Sequence, residues 1–424
     1  MKIYAALFAL GLLAAGNGVM AGALYFPEMS SASESSYAGA GMVARANDAG
    51  TVFSNPAGMT RFDKAEIMAG ATGVYIPTGF ETGPNNTADG SSRGVNKRVV
   101  PAGSFAYLRP LSDRLSVGIS AQNYFGLALD WDDSWVGRYS SVNVAVLAPQ
   151  VQPTVAYKVN DWLSVGAGAA LTLGYLRDKM RVKSFPPGGD DGKLRISDTD
   201  FAVQGNFGVM LEPWEHTRIG IRYLTETDLD FEDDPDVSGV NLPPVPGAGL
   251  DLGIKMPQQV HAAVHHQWSD KLALLGSIGW EEFSKFSKVQ VKGDATGINT
   301  TLDADFRDVW HFGVGAEYQY TPKWEVTAGF SLDTSMSTDR TRPIVIPLGT
   351  MYRYAIGFKH KRREDLTLGG GLTFIWEGNL PVKDTGDVSG RYTNDSIWIA
   401  SLYAGWRYGK ATKIHIQLIA IKPK

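Results

Sequence analysis

Trp324-Glu325-Val326-Thr327-Ala328-Gly329-Phe330-Ser331-Leu332-Asp333 alternates without a break: every even position is apolar, every odd one polar or Gly. A β-strand sends successive side chains to opposite faces, so this run has one apolar and one polar face. The pattern recurs upstream in Val309–Tyr318, whose even positions are Trp310, Phe312, Val314, Ala316 and Tyr318. It recurs downstream in Trp398, Ala400, Leu402, Ala404, Trp406 and Tyr408. An apolar face bounded by aromatic residues suits lipid with interfacial girdles, and a polar opposite face suits a wet interior.

A soluble β-sandwich alternates too, but its inner faces are aliphatic and its turns are short at both ends. Here the connections are asymmetric. Short ones at 111–114, 159–162, 212–215, 268–271, 320–323 and 361–364 alternate with long polar or Gly/Pro-rich ones near 78–97, 130–139, 182–199, 231–255, 291–304, 334–349 and 380–394. That asymmetry is the mark of an outer-membrane barrel. The fold class that follows is all-β: a transmembrane antiparallel β-barrel of about fourteen strands, an even number as closure requires. The expected spans are 65–77, 98–110, 114–129, 140–158, 162–181, 200–211, 217–230, 256–268, 271–290, 305–320, 323–333, 350–360, 366–379 and 395–408. Closure pairs every backbone N–H and C=O, as hydrocarbon demands.

The ends of the chain read differently. Met1-Lys2, an apolar run from Ile3 to Ala15 and the small residues of Val19-Met20-Ala21 form a secretory signal peptide over 1–21. That run is too short to span a membrane as a helix. Residues 22–62 are rich in Ser, Ala and Gly, and cannot build a core of their own; a periplasmic tail and a segment packed inside the barrel both remain open on composition. The barrel occupies 63–408. Trp406-Arg407-Tyr408 resembles the aromatic end that the barrel assembly machinery reads, and 409–424 is an extension of unassigned role.

Composition narrows the function. The 424 residues include 48 Gly, 17 Tyr, 18 Phe, 11 Trp and no Cys, so thiolate metal sites and Cys nucleophiles are excluded. With 40 basic and 44 acidic residues the net charge is −4, which does not suggest nucleic acid. His261 and His265 share a strand face about 13 Å apart, too far for one metal ion. Gly39-x-Gly41, Gly166-x-Gly168 and Gly313-x-Gly315 lack the strand–helix unit of a dinucleotide site. H-E-x-x-H does not occur and no Ser/His constellation favours hydrolysis, so no enzyme, cofactor or metal is expected.

Several short stretches, in order, carry a family resemblance. They are Asp48-Ala49-Gly50 with Asn55-Pro56-Ala57, Lys255-Met256-Pro257-Gln258, Trp280-Glu281-Glu282-Phe283-Ser284-Lys285-Phe286, Phe306-Arg307-Asp308, Phe330-Ser331-Leu332-Asp333-Thr334-Ser335 and Ile344-Val345-Ile346-Pro347. Over residues 22–408 the chain resembles the FadL-type outer-membrane transporters of long-chain fatty acids and other hydrophobic molecules. The resemblance implies that 22–62 is an N-terminal plug inside the lumen, with Asn55, Pro56 and Ala57 as its motif. It also implies passive uptake in the bacterial outer membrane: capture by the outer loops, a shift of the plug, then lateral release into the bilayer. Lateral exit spares an acyl chain the cost of hydration, roughly 0.8 kcal/mol per CH₂.

Candidate ligand contacts are Leu24, Tyr25, Phe26 and Phe53 in the N-terminal segment and Leu242, Val245, Leu250, Leu252, Ile254 and Met256 in a long outer loop. That loop is either a capture groove or a self-packed core. Arg307 shares parity with His311 and Glu317, so it should face the lumen, where it would hold a carboxylate or pair with Asp305 or Asp308. Arg177, Lys179 and Arg181 end a strand on the outer side; lipopolysaccharide phosphate, a ligand carboxylate or plain solvent would each suit them. The expected partners are a hydrophobic small molecule, outer-membrane lipid and lipopolysaccharide, and the assembly machinery, with the chain a monomer. The competing readings are an uptake channel for aromatic or alkane hydrocarbons, a lipid-processing enzyme and a diffusion porin.

Overall fold

The computed structural model of the chain describes residues 24–409, except 97, 185–188, 240–248, 294–297, 345–346 and 386. The expected signal peptide, the candidates Leu242 and Val245, and the extension beyond Gly409 lie outside the described residues.

Fourteen strands close into one antiparallel barrel. They are β1 (Ala65–Ile76), β2 (Arg98–Pro110), β3 (Leu115–Asp130), β4 (Asn143–Lys158), β5 (Leu163–Val182), β6 (Gly192–Trp214) and β7 (Thr217–Leu224). There follow β8 (Gln259–Gln267), β9 (Leu272–Glu281), β10 (Val309–Thr321), β11 (Trp324–Asp333), β12 (Met351–Arg363), β13 (Leu366–Thr385) and β14 (Val388–Tyr408). Each pairs with the next, and β14 returns to β1 from Ala65↔Tyr408 to Tyr75↔Trp398. The alternation explains the wall. Val314, Ile356, Leu402 and Phe201 are exposed on the outside, while His311, Thr327, Ser331 and Asp333 are buried on the inside. Trp162, Trp214, Trp268 and Tyr320 ring the short-turn end; Tyr75, Trp310, Trp376 and Trp398 lie exposed toward the other. These are the two girdles of a membrane barrel.

The structure redraws several boundaries. The strand expected at 217–230 leaves the barrel at Leu224, and the one expected at 271–290 leaves at Glu281. Beyond them, Thr227–Asp233, Leu250–Met256, Lys288–Gly293 and Ile298–Asp303 form a separate antiparallel sheet on the long-loop side, with a helical turn at Phe283–Phe286. The period of two continues through these residues, but their apolar face (Leu229, Phe231, Ile254) is buried in a core rather than turned to lipid. The long connections expected at 182–199 and 380–394 are largely strand, because β5, β6, β13 and β14 extend well past the apolar band. Their polar outward residues read as loop, yet Met180, Leu194 and Ile196 keep a buried inner face.

Residues 24–62 lie inside the barrel. The segment bonds to strands around the whole circumference: the Ser104 hydroxyl accepts from Ala32 N, Asn206 donates to Phe53 O, Arg218 to Ala44 O, Ser331 to Ala38 O and Thr373 to Ser35 O. Its composition suits that place. Wall glycines admit its backbone closely, and a Cβ on Gly220 or Gly329 would stand 1.8 or 1.9 Å from the carbonyl oxygens of Val43 and Tyr37. Buried charges add to the attachment. Arg353 Nη1 donates to both carboxylate oxygens of Glu28 at 3.1 and 2.9 Å, and its Nε donates to Asp333 at 2.6 Å. Tyr37 and Asn47 each donate to Glu317 at 2.8 Å. Removing one partner of such a buried ion pair costs about 3–5 kcal/mol.

Candidate functional site

Among the described residues the wall has an open seam between β2 and β3. The β2–β3 ladder runs from Pro110↔Ser116 only to Phe105↔Ala121. Beyond it, residues 122–130 of β3 pair with β4 but not with β2 among the described residues. The strand changes course there because Tyr124 is an extra residue: Asn123 pairs with Pro149, but Phe125 pairs with Ala148. Such a bulge bends a strand and ends pairing on one side.

The freed edge of β3 is taken by the N-terminal segment. Phe26 N donates to Tyr124 O and Gly126 N to Leu24 O, both at 3.0 Å. Leu24, Tyr25 and Phe26 thus line the edge of the seam through a single antiparallel bridge, Tyr25 to Phe125. Their side chains enter a large apolar cluster with Phe53, Tyr124, Phe125, Leu229, Phe283 and Phe286. The Tyr25 ring lies 4.9 Å from Tyr124 and 5.1 Å from Phe125, centroid to centroid. Its hydroxyl donates to Pro257 O at 2.8 Å. Burial holds the Tyr25 phenol well above its ordinary pKa, so it stays a donor. Deeper in the segment, burial pushes Glu34 up to about 7 against the opposing charge of Arg45. Polar groups line the seam without partners: Ser120 Oγ, Asn123 Oδ1 and both amide atoms of Gln122 are buried and unbonded.

Arg222 lies beside this cluster. It points inward from β7, fully buried, and stacks over Phe53 and Tyr124 at 5.4 and 5.3 Å. Its Nη2 donates to Gln259 Oε1 at 2.7 Å and Tyr124 Oη at 3.1 Å, while Nε and Nη1 have no protein partner. Other buried arginines differ: Arg353 and Arg45 are each paired with a carboxylate. A buried cation with two free donors beside apolar walls is built to receive an anion.

The sequence candidates divide. Leu24, Tyr25, Phe26, Phe53, Leu250, Ile254 and Met256 come together in the cluster, and Leu252 packs on it half-buried. The described part of the outer loop is therefore a packed core rather than an exposed groove. Arg307 does not face the lumen. It is exposed and lies before the first residue of β10, because Asp305 takes a positive φ of 53° and Phe306 turns in instead. Arg222, Tyr124 and Gln259 are the residues that sequence reasoning missed. The one available signal was an Arg on the polar face of an alternating strand with no acid beside it on that face.

The Asn55-Pro56-Ala57 motif lies at the other end of the segment. Asn55 Oδ1 accepts from Ala57 N at 3.1 Å, and Nδ2 donates to Val43 O at 2.7 Å and to Val209 O on β6 at 3.0 Å. Pro56 fits against Gly166 and Gly208, where any Cβ would collide. The motif thus ties the segment to itself and to the wall. Asn55→Ala is expected to loosen it by about 1–3 kcal/mol, the cost of leaving such groups unpaired. Limited proteolysis within 24–62 should then run faster while the barrel keeps its heat-modifiable migration. Equal rates in both proteins would remove the motif from the seating of the segment.

A model of the outer membrane protein transport protein family (OMPP1/FadL/TodX) matches residues 12–407. The chain belongs to that family. It is a transport protein of the outer membrane and not an enzyme. It is 24% identical over 375 residues to the long-chain fatty acid transport protein of Escherichia coli O6:H1, covering 80% of this chain and 83% of that one. A Pseudomonas aeruginosa FadL homologue shares the fold with a TM-score of 0.79 at 20% identity, over 92% of this chain and all of the other. The Ralstonia pickettii toluene transporter TbuX does so at 0.67 and 17% identity, over 89% and 98%. Fatty acids and aromatics both occur among these relatives, so the family handles hydrophobic compounds.

Proposed function

We propose that this transporter takes up long-chain fatty acids, and that Arg222 receives the carboxylate. The observation that carries this is the fully buried guanidinium with Nε and Nη1 unpartnered. A toluene-like cargo has no use for it, although the aromatic walls of Tyr25, Tyr124, Phe125 and Phe283 would suit one. Leu24, Tyr25 and Phe26 fill the apolar space that an acyl chain would need. Entry of the acid therefore displaces them, and that breaks their bridge to β3. The seam then opens toward the bilayer, and the segment 22–62 acts as a plug that ligand unlatches. The acid leaves sideways, keeping its tail out of water. Related cargo with a carboxylate on an aromatic ring would use the same cation.

The reading is tested by uptake into cells that lack other such transporters. A labelled long-chain acid should enter, and its methyl ester or toluene should compete poorly. Toluene uptake at equal efficiency would favour the hydrocarbon reading. The absence of native Cys permits a direct test of the latch. Tyr25 bridges Phe125 in antiparallel register, so Cα atoms there stand about 4.5–5.5 Å apart, within reach of a disulfide. Tyr25→Cys with Phe125→Cys should block uptake when oxidised and restore it on reduction. Uptake indifferent to redox state would dissociate the latch from transport.

A further inference from the structure

The outward row of β5 is apolar from Leu163 to Tyr175 and then turns basic at Arg177, Lys179 and Arg181. The apolar part spans about 40 Å of strand at about 3.3 Å per residue, or about 28 Å along the membrane normal at a tilt of about 45°. That matches the height of the lipid band, about 25 Å. The basic rungs therefore begin where the outer leaflet's headgroups begin. The long-loop side of the barrel is the extracellular side, so this is the leaflet that carries phosphorylated glycolipid.

β6 completes the patch. Lys179 lies directly opposite Arg195, and Arg181 directly opposite Lys193. Directly opposed residues share a face with Cβ atoms about 4.5–5.5 Å apart, where like charges are destabilising. Two stacked like-charged pairs thus repel within one hairpin. The carboxylates facing them are Asp130, which accepts from Asn143 opposite Lys179; Asp133, which pairs with Arg181; and Asp236, which lies opposite Arg195 in the short strand Asp236–Ser238. Arg177 donates to the Asn143 side chain and has a buried Nε without partner. Five cations face three carboxylates, so positive charge is left over. Below them, past the rungs Arg177↔Ser197 and Tyr175↔Thr199, Leu173 pairs with Phe201 and Leu171 with Val203. Phe201 is 70% exposed, Val203 61% and Leu171 56%, an apolar rail on the same outward face.

We propose that this outer face of the β5–β6 hairpin is a site for a phosphorylated glycolipid of the outer leaflet, lipopolysaccharide in chemical class. A phosphate bridges the Lys179–Arg195 and Arg181–Lys193 pairs and relieves their repulsion. The acyl chains lie along Leu171, Phe201 and Val203. The site is separate from the cargo path, since every residue in it points away from the lumen.

Native mass spectrometry of the delipidated full barrel tests this, with bis-phosphorylated lipid A, the same lipid without phosphates, and inorganic phosphate as probes. The phosphorylated lipid should bind wild type. Lys179→Ala with Arg195→Ala should weaken it roughly 30-fold, two cations acting at an anionic surface. Removing the lipid phosphates should have a similar effect. Asp236→Asn should instead tighten binding, a gain that a misfolded variant would not give. Equal binding of the two lipids, or no change in either variant, would overturn the site. Full displacement by millimolar inorganic phosphate would overturn the lipid assignment.

Discussion

Arg222→Ala is expected to weaken binding of a long-chain fatty acid by roughly 10- to 150-fold, the loss of a charge-assisted hydrogen bond of about 1.5–3 kcal/mol. Binding of the methyl ester should change little. The difference between acid and ester is the informative quantity, because Arg222 also packs over Phe53 and Tyr124 and its removal leaves space there. That packing loss acts on both ligands alike. Tyr124 Oη loses the Arg222 donor and Gln259 Oε1 keeps only the Tyr124 hydroxyl, again for both. Arg222→Lys should recover part of the preference for the acid, since it restores the charge without the planar fork. Isothermal titration of purified protein with each ligand decides the matter. Equal losses for acid and ester would make Arg222 a packing residue and return the cargo to an uncharged hydrocarbon.

The barrel was legible because lipid outside and a polar lumen inside impose a period of two that no other environment sustains over so many runs. Trp324–Asp333 shows both faces in ten residues. The same rule misread 227–230 and 288–290 as barrel wall; they alternate as strictly but turn their apolar face to a loop core. Periodicity reports that a strand has two environments, not which ones. Arg307 failed for a related reason. Its parity with His311 holds only while the chain stays extended, and Asp305 breaks that with a positive φ. The seam was invisible because it is a property of pairing between strands. A single extra residue at Tyr124 produces it, in a run that alternates on both sides of the bulge. Arg222 was readable as an inward cation, but its lack of an acid partner depends on β8 and the N-terminal segment, which only the fold brings near.

Enlarging two wall glycines should open the barrel without deleting anything. Gly220 on β7 lies against the Val43 carbonyl and Gly329 on β11 against the Tyr37 carbonyl. A Cβ at either position would overlap that oxygen by more than 1 Å, since real contacts rarely fall below 3.0 Å. One side must move. Both glycines belong to continuous ladders with a partner strand on each side. The segment has only short helical turns and isolated hydrogen bonds, so it is the side that yields. Gly220→Val with Gly329→Val should therefore shift the segment and expose water-filled space. A fourteen-stranded barrel is wider than the eight-stranded ones whose lumen side chains alone can fill. In planar bilayers the intact protein should be nearly silent, the double variant should open in bursts, and deletion of 24–62 should conduct steadily. The deletion sets the upper limit, so the variant's open time measures how far the segment has been dislodged. A silent variant that still shows heat-modifiable migration would mean that the wall yields instead, and that the segment is not held by its glycine contacts. A deletion that is silent too would mean that the segment is not what closes the lumen.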